Sequence, residues 1–184
     1  GVNFTYCVKS GSFFKRWSIT NIFALTPLGT VIPQFFLAEE AKEIDAEALL
    51  VILDTPGGGL TETLEIMKLI DRTEIPVISY VHPTGATAWS AGTIILISSH
   101  IAAMSPNTVI GSAQPAAISA QGFTPLNESK IINALTTLVA EKARVHGRNE
   151  TAAVAFIKEN LNLNAEQAKK MKVVEFVSPS INEL

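Results

Sequence analysis

The sequence contains one cysteine, few charged residues and no long apolar run. Cys7 has no partner in the chain, which excludes an internal disulfide and paired Cys-x-x-Cys metal sites, and it fits a small apolar filler. Lys and Arg total 14 against 17 Asp and Glu, so a net charge of −3 gives no basic footprint for nucleic acid. No run reaches the roughly 18 apolar residues of a membrane span, and the N-terminus lacks a signal-peptide pattern. These absences predict a soluble domain.

Apolar residues make up 47% of the 184 positions, and charged residues 17%. This composition predicts a single domain over residues 1–184 with one good core. The core is expected over residues 19–178, whereas residues 1–18 show no clean period and are not placed. Strand-like and helix-like segments alternate, which predicts an α/β fold whose parallel strands are joined by crossover helices.

Hydrophobic periodicity predicts the order of these elements. Residues 48–53 and 76–81 are short apolar runs typical of strands, the first buried on both faces. Other extended segments are predicted at 18–32, 101–104, 109–111 and 173–177, with a loop at 116–126. Helices are predicted at 34–44, from 60, at 94–97, from 127 with Asn127 as cap, at about 150–160 and at 164–171.

Two loops rich in small residues follow consecutive predicted strands. Residues 54–59 read Asp-Thr-Pro-Gly-Gly-Gly, and residues 84–93 place Ser90 near the start of a helix. A helix start offers free N–H groups to an oxyanion, and small neighbours permit close backbone approach. Since parallel strands end at one edge of a sheet, both loops are expected to face one cleft. The alternative for Ser90 is close packing, and the glycine loop lacks the Walker and G-x-G-x-x-G patterns of nucleotide sites.

A serine nucleophile requires a base that removes its proton. His100 comes ten residues after Ser90, about 15 Å along a helix, and neither His82 nor His146 has a neighbouring carboxylate that marks it as a base. Each histidine therefore fits a surface or structural role. Lys130 lies in the first turn of a predicted helix beside an apolar face, where desolvation and the positive helix end can lower a lysine pKa. A solvated lysine is the alternative.

The motifs over residues 46–178 resemble, in their order, the NfeD-type serine proteases of the Clp protease and signal peptide peptidase A clan. Residues 54–58 resemble the family's oxyanion-hole loop, and residues 85–93 resemble its nucleophile segment. The segment that begins Lys130-Ile131-Ile132-Asn133 resembles the one that carries the general base. Further matching segments are residues 99–100, 104–106, 110–115, 147–149 and 163–168.

This resemblance implies a Clp protease and crotonase-like spiral of β-β-α units and a serine endopeptidase with a Ser-Lys dyad. It implies that Ser90 is the nucleophile, that Lys130 is the base, and that the N–H groups of Gly58 and Ala91 form the oxyanion hole. The position of the Clp histidine is Ala113 here, so a Clp-type triad is not available. The substrate-binding residues implied are Gly57, Gly59, Gln114 and Trp89, the last bulkier than the small residue usual in the family.

The resemblance also implies a hydrophobic peptide substrate, a stomatin-like partner and a homo-oligomer, with a dimer as the expected form. It implies membrane association on the extracytoplasmic side through segments of longer family members. No metal, cofactor or nucleic acid is expected. Two other classes stay open: a crotonase-like acyl-CoA enzyme without a serine nucleophile, and a catalytically silent scaffold for a membrane partner.

Overall fold

The computed structural model describes residues 3–10, 13–19, 46–119, 122–125 and 128–184. In these ranges the strands are Asn3–Ser10 (β1), Phe13–Ile19 (β2), Ala48–Asp54 (β3), Val77–Val81 (β4), Thr87–Trp89 (β5), Ile101–Met104 (β6), Val109–Gly111 (β7), Ala116–Ser119 (β8), Gly122–Pro125 (β9), Asn162–Asn164 (β10) and Phe176–Val177 (β11). The helices are Leu60–Arg72 (α1), Ala91–Ser98 (α2), Ser129–Val145 (α3), Glu150–Lys158 (α4) and Ala165–Lys170 (α5), and a short 3-10 turn spans Ile181–Glu183.

The main sheet has six strands in the order β11-β6-β4-β3-β1-β2. Strands β3, β4, β6 and β11 run parallel, and β1 joins antiparallel to β3 and β2. Four residues of β3 are buried, including Leu53 with no exposed surface, because its apolar side chains point into both faces of the sheet. The parallel strands and intervening helices confirm the predicted α/β class.

A second, three-stranded sheet has the order β10-β7-β5. Its strand β5 pairs in parallel with β7, and a bridge between Thr55 and Ala88 connects β5 to the end of β3. This bridge brings the glycine loop after β3 next to the strand that precedes Ser90. The two loops singled out in the sequence therefore meet in space, as predicted, although the strand that precedes Ser90 lies in the second sheet and not beside β3 in the main sheet.

Helix α2 is the buried centre of the fold. All eight of its residues are buried, which agrees with its lack of any charged side chain. A buried C-terminus leaves carbonyl groups that need donors. Arg148 supplies them, donating to the carbonyls of Ile97 at 2.6 Å and Ser99 at 2.8 Å. The Arg148 side chain is 2% exposed and pairs with Glu175 at 2.7 Å, so its charge is compensated.

The last two helices each begin at an asparagine whose side chain caps the helix. Asn149 caps α4 by accepting from the Ala152 N–H at 3.0 Å. Asn164 and Gln167 form a reciprocal capping box at the start of α5. Helix α3 is tied to α1 through an ion pair between Lys142 and Asp71.

The structure places one segment that the sequence left unassigned and corrects two sequence predictions. Residues 3–10 and 13–19 of the unplaced N-terminal segment form paired strands. The predicted loop at 116–126 contains the antiparallel pair β8 and β9. The predicted strand at 173–177 pairs only at Phe176–Val177, because Val173 and Val174 are buried in the core without joining the sheet. The predicted helix at 34–44 and the cap Asn127 lie outside the described residues, and α3 begins after Glu128.

Candidate active site

Ser90 occupies the sharp turn between strand β5 and helix α2. It is the N-cap residue of α2, with φ 52° and ψ −113°. A positive φ is uncommon for a residue other than glycine and indicates local strain held by its surroundings. The Ser90 N–H donates to the Gly111 carbonyl at 2.9 Å. Its hydroxyl forms no hydrogen bond with another described residue. This strand–turn–helix geometry resembles a nucleophile elbow, in which a serine lies at a helix N-terminus.

The glycine loop lies directly against this serine. Gly57 has φ +133°, and a Cβ placed on it would lie 3.0 Å from the Ser90 Cβ and 3.5 Å from its Oγ. Only a glycine permits this approach without displacing one of the two residues. The loop is fixed by Thr55, whose Oγ1 accepts from the Gly57 N–H at 3.0 Å and donates to the Gly57 carbonyl at 3.1 Å.

Thr55 is a residue that the motif analysis did not single out. It is 1% exposed, its N–H donates to the Thr87 carbonyl at 2.6 Å, and its carbonyl accepts from the Trp89 N–H at 3.0 Å. It therefore connects the glycine loop to β5 by both backbone and side chain. Its position two residues before a glycine matches the local turn that threonine side chains form, which is the signal in the sequence.

The two predicted oxyanion donors flank this contact. Gly58 follows Gly57 and is exposed, and Ala91 follows Ser90 as the first residue of α2. The first N–H groups of a helix have no partner within the helix. Neither the Gly58 nor the Ala91 N–H donates to an acceptor in the described part of the chain. Both amides thus meet one condition for an oxyanion donor, because no described group already accepts from them.

The predicted substrate-binding residues differ in their surroundings. Trp89 is 40% exposed at the end of β5, next to Ser90, whereas the preceding Ala88 is fully buried. Gly59 is the exposed N-cap of α1, and the Glu62 carboxylate folds over it. Gln114 is held by Asn160 through two hydrogen bonds. The Gln114 side-chain Oε1 accepts from the Asn160 side chain at 2.7 Å, and the Gln114 backbone N–H donates to the Asn160 Oδ1 at 3.2 Å.

Lys130 is the second residue of α3 and its side chain is exposed. No hydrogen bond connects it to Ser90 or to another described residue. The apolar surroundings that the sequence suggested for Lys130 are therefore not found around its side chain. Lys142, the other lysine of α3 within these ranges, has its side chain 15% exposed and paired with Asp71 of α1.

Each histidine contacts structural partners. His100 Nδ1 accepts from the Val77 N–H at 3.0 Å, and its ring meets the His146 ring edge-on at 5.8 Å. Burial lowers the pKa of both His100 and His146 below 6.5, and nearby Arg148 adds to this effect. These partners agree with the structural interpretation of the two residues.

His82 belongs to a chain of polar groups. Its Nδ1 lies 2.8 Å from Ser105 Oγ, which donates to the Tyr80 hydroxyl at 2.7 Å. Tyr80 donates in turn to the Ser178 carbonyl at 2.6 Å, and burial raises its pKa above 10.0. Ser105 is fully buried, so its hydroxyl is closed to a substrate.

The described ranges offer neither a metal centre nor a membrane span. Within them, no group of three or more His, Cys, Asp or Glu residues is arranged to hold a metal ion. In the same ranges, no helix is both long and apolar enough to cross a bilayer.

Comparison with known proteins gives consistent results. The chain is 42% identical over 145 residues to the membrane-bound protease PH1510 of Pyrococcus horikoshii. Two solved structures of the 1510-N membrane-bound stomatin-specific protease match at 38% identity over 84% of this chain, with TM-scores of 0.79 and 0.78. One is a lysine-to-alanine mutant in complex with a substrate peptide, and the match covers 71% of its chain. The other is a serine-to-alanine mutant, and the match covers 75% of its chain.

A more distant structure defines the fold. The ClpP protease catalytic domain from Plasmodium falciparum matches with a TM-score of 0.62 at 17% identity, over 83% of this chain and 79% of that one. This similarity confirms the ClpP-like fold. The match to PH1510 covers 78% of this chain but about a third (33%) of the relative's length. The NfeD1b N-terminal domain family matches residues 35–183, and the chain belongs to this family.

Proposed function

We propose that this chain is the catalytic domain of a serine endopeptidase with Ser90 as its nucleophile. The observation that carries the proposal is the contact between Ser90, in a strained turn with φ 52°, and the side-chain-free face of Gly57. Close packing alone does not require a serine at positive φ beside two unbonded amides. The relatives support the proposal because they are named proteases, and the solved structures include serine and lysine mutants.

In the proposed mechanism, neutral Lys130 accepts the proton of the Ser90 hydroxyl while Oγ attacks the peptide carbonyl carbon. The N–H groups of Gly58 and Ala91 donate to the resulting oxyanion. Protonated Lys130 then gives its proton to the leaving amine, and an acyl-enzyme remains on Ser90. Water, deprotonated by Lys130, releases the acyl group and regenerates the serine.

Lys130 is exposed, so the proposal requires that a bound peptide cover it. Covering removes water from the ammonium group, which disfavours its charged form. Catalytic hydrogen bonds are often long in structures without substrate and shorten in the complex. We therefore expect the Ser90–Lys130 hydrogen bond to form when a peptide binds.

Trp89 is the residue that we propose to set substrate preference. Trp89 is exposed next to Ser90, and its backbone N–H donates to the Thr55 carbonyl. Strand β5 therefore holds the ring in place beside the bound peptide. A flat apolar surface favours hydrophobic segments. Gly57, Gly59 and Gln114 would line the path of the peptide backbone.

Further parts of the proposal rest on the relatives. One is named as specific for stomatin, so we propose a stomatin-like substrate protein for this chain. We also propose membrane association on the extracytoplasmic side, as part of a longer protein, and self-association into a dimer.

The test uses a fluorophosphonate probe, which reacts with activated serines, and a hydrophobic peptide. Wild-type chain is expected to be labelled at Ser90 and to cleave the peptide, whereas Ser90→Ala, a change of one oxygen atom, does neither. Peptide mass spectrometry locates the label. A folded wild-type chain that is not labelled and does not cleave would favour a silent scaffold, and specific binding of acyl-CoA would favour the crotonase class.

A further inference from the structure

The strained conformation of Ser90 needs a physical support. Holding a residue other than glycine at such a φ is unfavourable, and the conformation persists only where surrounding contacts over-determine it. The Ser90 hydroxyl makes no bond to the described residues that could contribute. The support must therefore come from the backbone on either side of Ser90 and from whatever fixes that backbone.

Thr93 fixes both sides at once. It lies in the first turn of α2, three residues after Ser90, and has no exposed surface. Its Oγ1 donates to the Ala88 carbonyl at 2.7 Å. The same oxygen lies 3.1 Å from the Gly111 carbonyl oxygen. It also accepts from the Gly111 N–H at 2.8 Å.

Gly111, which binds the Thr93 hydroxyl, also binds the backbone of Ser90. The Gly111 carbonyl is the acceptor of the Ser90 N–H. The Thr93 hydroxyl oxygen therefore accepts from the N–H of the same residue whose carbonyl binds Ser90. Ala88 lies two residues before Ser90 on β5. One buried hydroxyl thus connects the strand before the nucleophile, the helix after it and the neighbouring strand β7.

The geometry points to Thr93 as a positioning residue that sets the conformation of Ser90. This inference rests on the proposed function, since it assigns a role relative to that nucleophile. Without the hydroxyl, the Gly111 N–H and the Ala88 carbonyl lose a buried partner, and the turn is free to relax toward ordinary φ. The Ser90 Oγ then moves relative to the oxyanion donors, and a displacement of about 1 Å can cost roughly a hundredfold in rate.

The experiment compares variants that separate the hydroxyl from the methyl group of Thr93. Thr93→Val keeps the shape and removes the hydroxyl. Thr93→Ala and Thr93→Ser both remove the methyl, and only the serine keeps the hydroxyl. Thr108→Val is the matched control, because Thr108 is equally buried and its Oγ1 donates at 2.6 Å to a carbonyl, that of Ser105.

The readout is the maximal rate of fluorophosphonate labelling at saturating probe, together with the split between kcat and KM on a peptide. We expect Thr93→Val and Thr93→Ala to lower the labelling rate and kcat about tenfold to a hundredfold with little change in KM. Thr93→Ser is expected within about threefold of wild type. Circular dichroism and thermal unfolding establish that each variant is folded at the assay temperature.

Equal labelling rates for Thr93→Val and Thr108→Val would overturn the inference. If Thr93→Val does not fold, the comparison of Thr93→Ala with Thr93→Ser replaces it, and equal rates for these two would overturn the inference as well. Failure of the proposed function has a different signature, because the wild-type chain itself would then not be labelled.

Discussion

Replacing Gly57 by alanine tests the contact between the glycine loop and Ser90. The added Cβ would lie 3.0 Å from the Ser90 Cβ and 3.8 Å from the Trp89 carbonyl oxygen. Carbon atoms prefer a separation of about 3.5–4.0 Å, so the loop or the serine must move by roughly 0.5–1 Å. Either movement changes the position of the nucleophile relative to the Gly58 amide. We therefore expect kcat/KM to fall by on the order of a hundredfold.

The substitution also places alanine at φ +133°, which carries a cost unrelated to the contact. Gly85→Ala isolates that cost, because Gly85 has φ +88° and a Cβ placed on it would meet no other group within 4 Å. Each variant is expected to lose about 1–3 kcal/mol of unfolding free energy. Only Gly57→Ala is expected to lose activity.

The assay combines fluorophosphonate labelling, peptide hydrolysis and thermal unfolding for both variants. Labelling of Gly57→Ala within about threefold of Gly85→Ala, with both folded, would refute the reasoning, because a shift of this size should cost far more. Equal loss in both variants would mean that backbone strain, and not the contact with Ser90, explains the effect.

Two further predictions concern stability. Thr136→Val should raise the unfolding free energy by about 1 kcal/mol, since the buried Thr136 Oγ1 has no hydrogen-bond partner among the described residues. Thr137→Val, which removes a bond to the Asn133 carbonyl at 2.9 Å, should not stabilise the chain, and urea titration of both variants checks this. Burial lowers the folded-state pKa of His100 and His146 below 6.5, so the unfolded chain takes up protons first as the pH falls. The contribution of these histidines to the unfolding free energy should thus be constant at pH values above their pKa in the unfolded chain, and it should decrease as the pH falls below that pKa. His146→Asn should flatten that decrease in urea titrations at successive pH values, and an unchanged slope would contradict the assignment.

Much of the fold could be predicted because single segments carried unambiguous signals. The apolar run at residues 48–53 is a strand buried on both faces, and Asn164 caps a helix as its sequence position indicates. The rule that parallel strands end at the same edge of a sheet predicted that the glycine loop and Ser90 face one cleft. In the structure they meet through the bridge between Thr55 and Ala88, which joins β5 of the second sheet to the end of β3.

The errors have a common physical origin, which is that pairing depends on distant neighbours. Residues 3–10 show no clean period, yet they pair with both β2 and β3. Residues 116–119 look like a loop because most of them are small, yet they form a strand by pairing with residues 122–125. Conversely, Val173 and Val174 are apolar because they fill the core, not because they join a sheet.

The site was predictable in part. Motif order places Ser90 and the glycine loop, whereas Thr55 and Thr93 act through contacts that only the folded chain brings together. The role of Lys130 stays a prediction, because no contact in the described structure connects it to Ser90.

The most direct test of the Ser90–Lys130 dyad is the rate of fluorophosphonate labelling from about pH 6 to 10 for Lys130→Arg and Lys142→Arg. Arginine stays protonated at these pH values and cannot serve as the base, so Lys130→Arg should lose about a hundredfold or more in rate throughout. Lys142→Arg keeps the charge that pairs with Asp71 and should follow the wild-type profile, in which the rate rises with pH. Near-normal labelling of a folded Lys130→Arg chain would contradict the dyad.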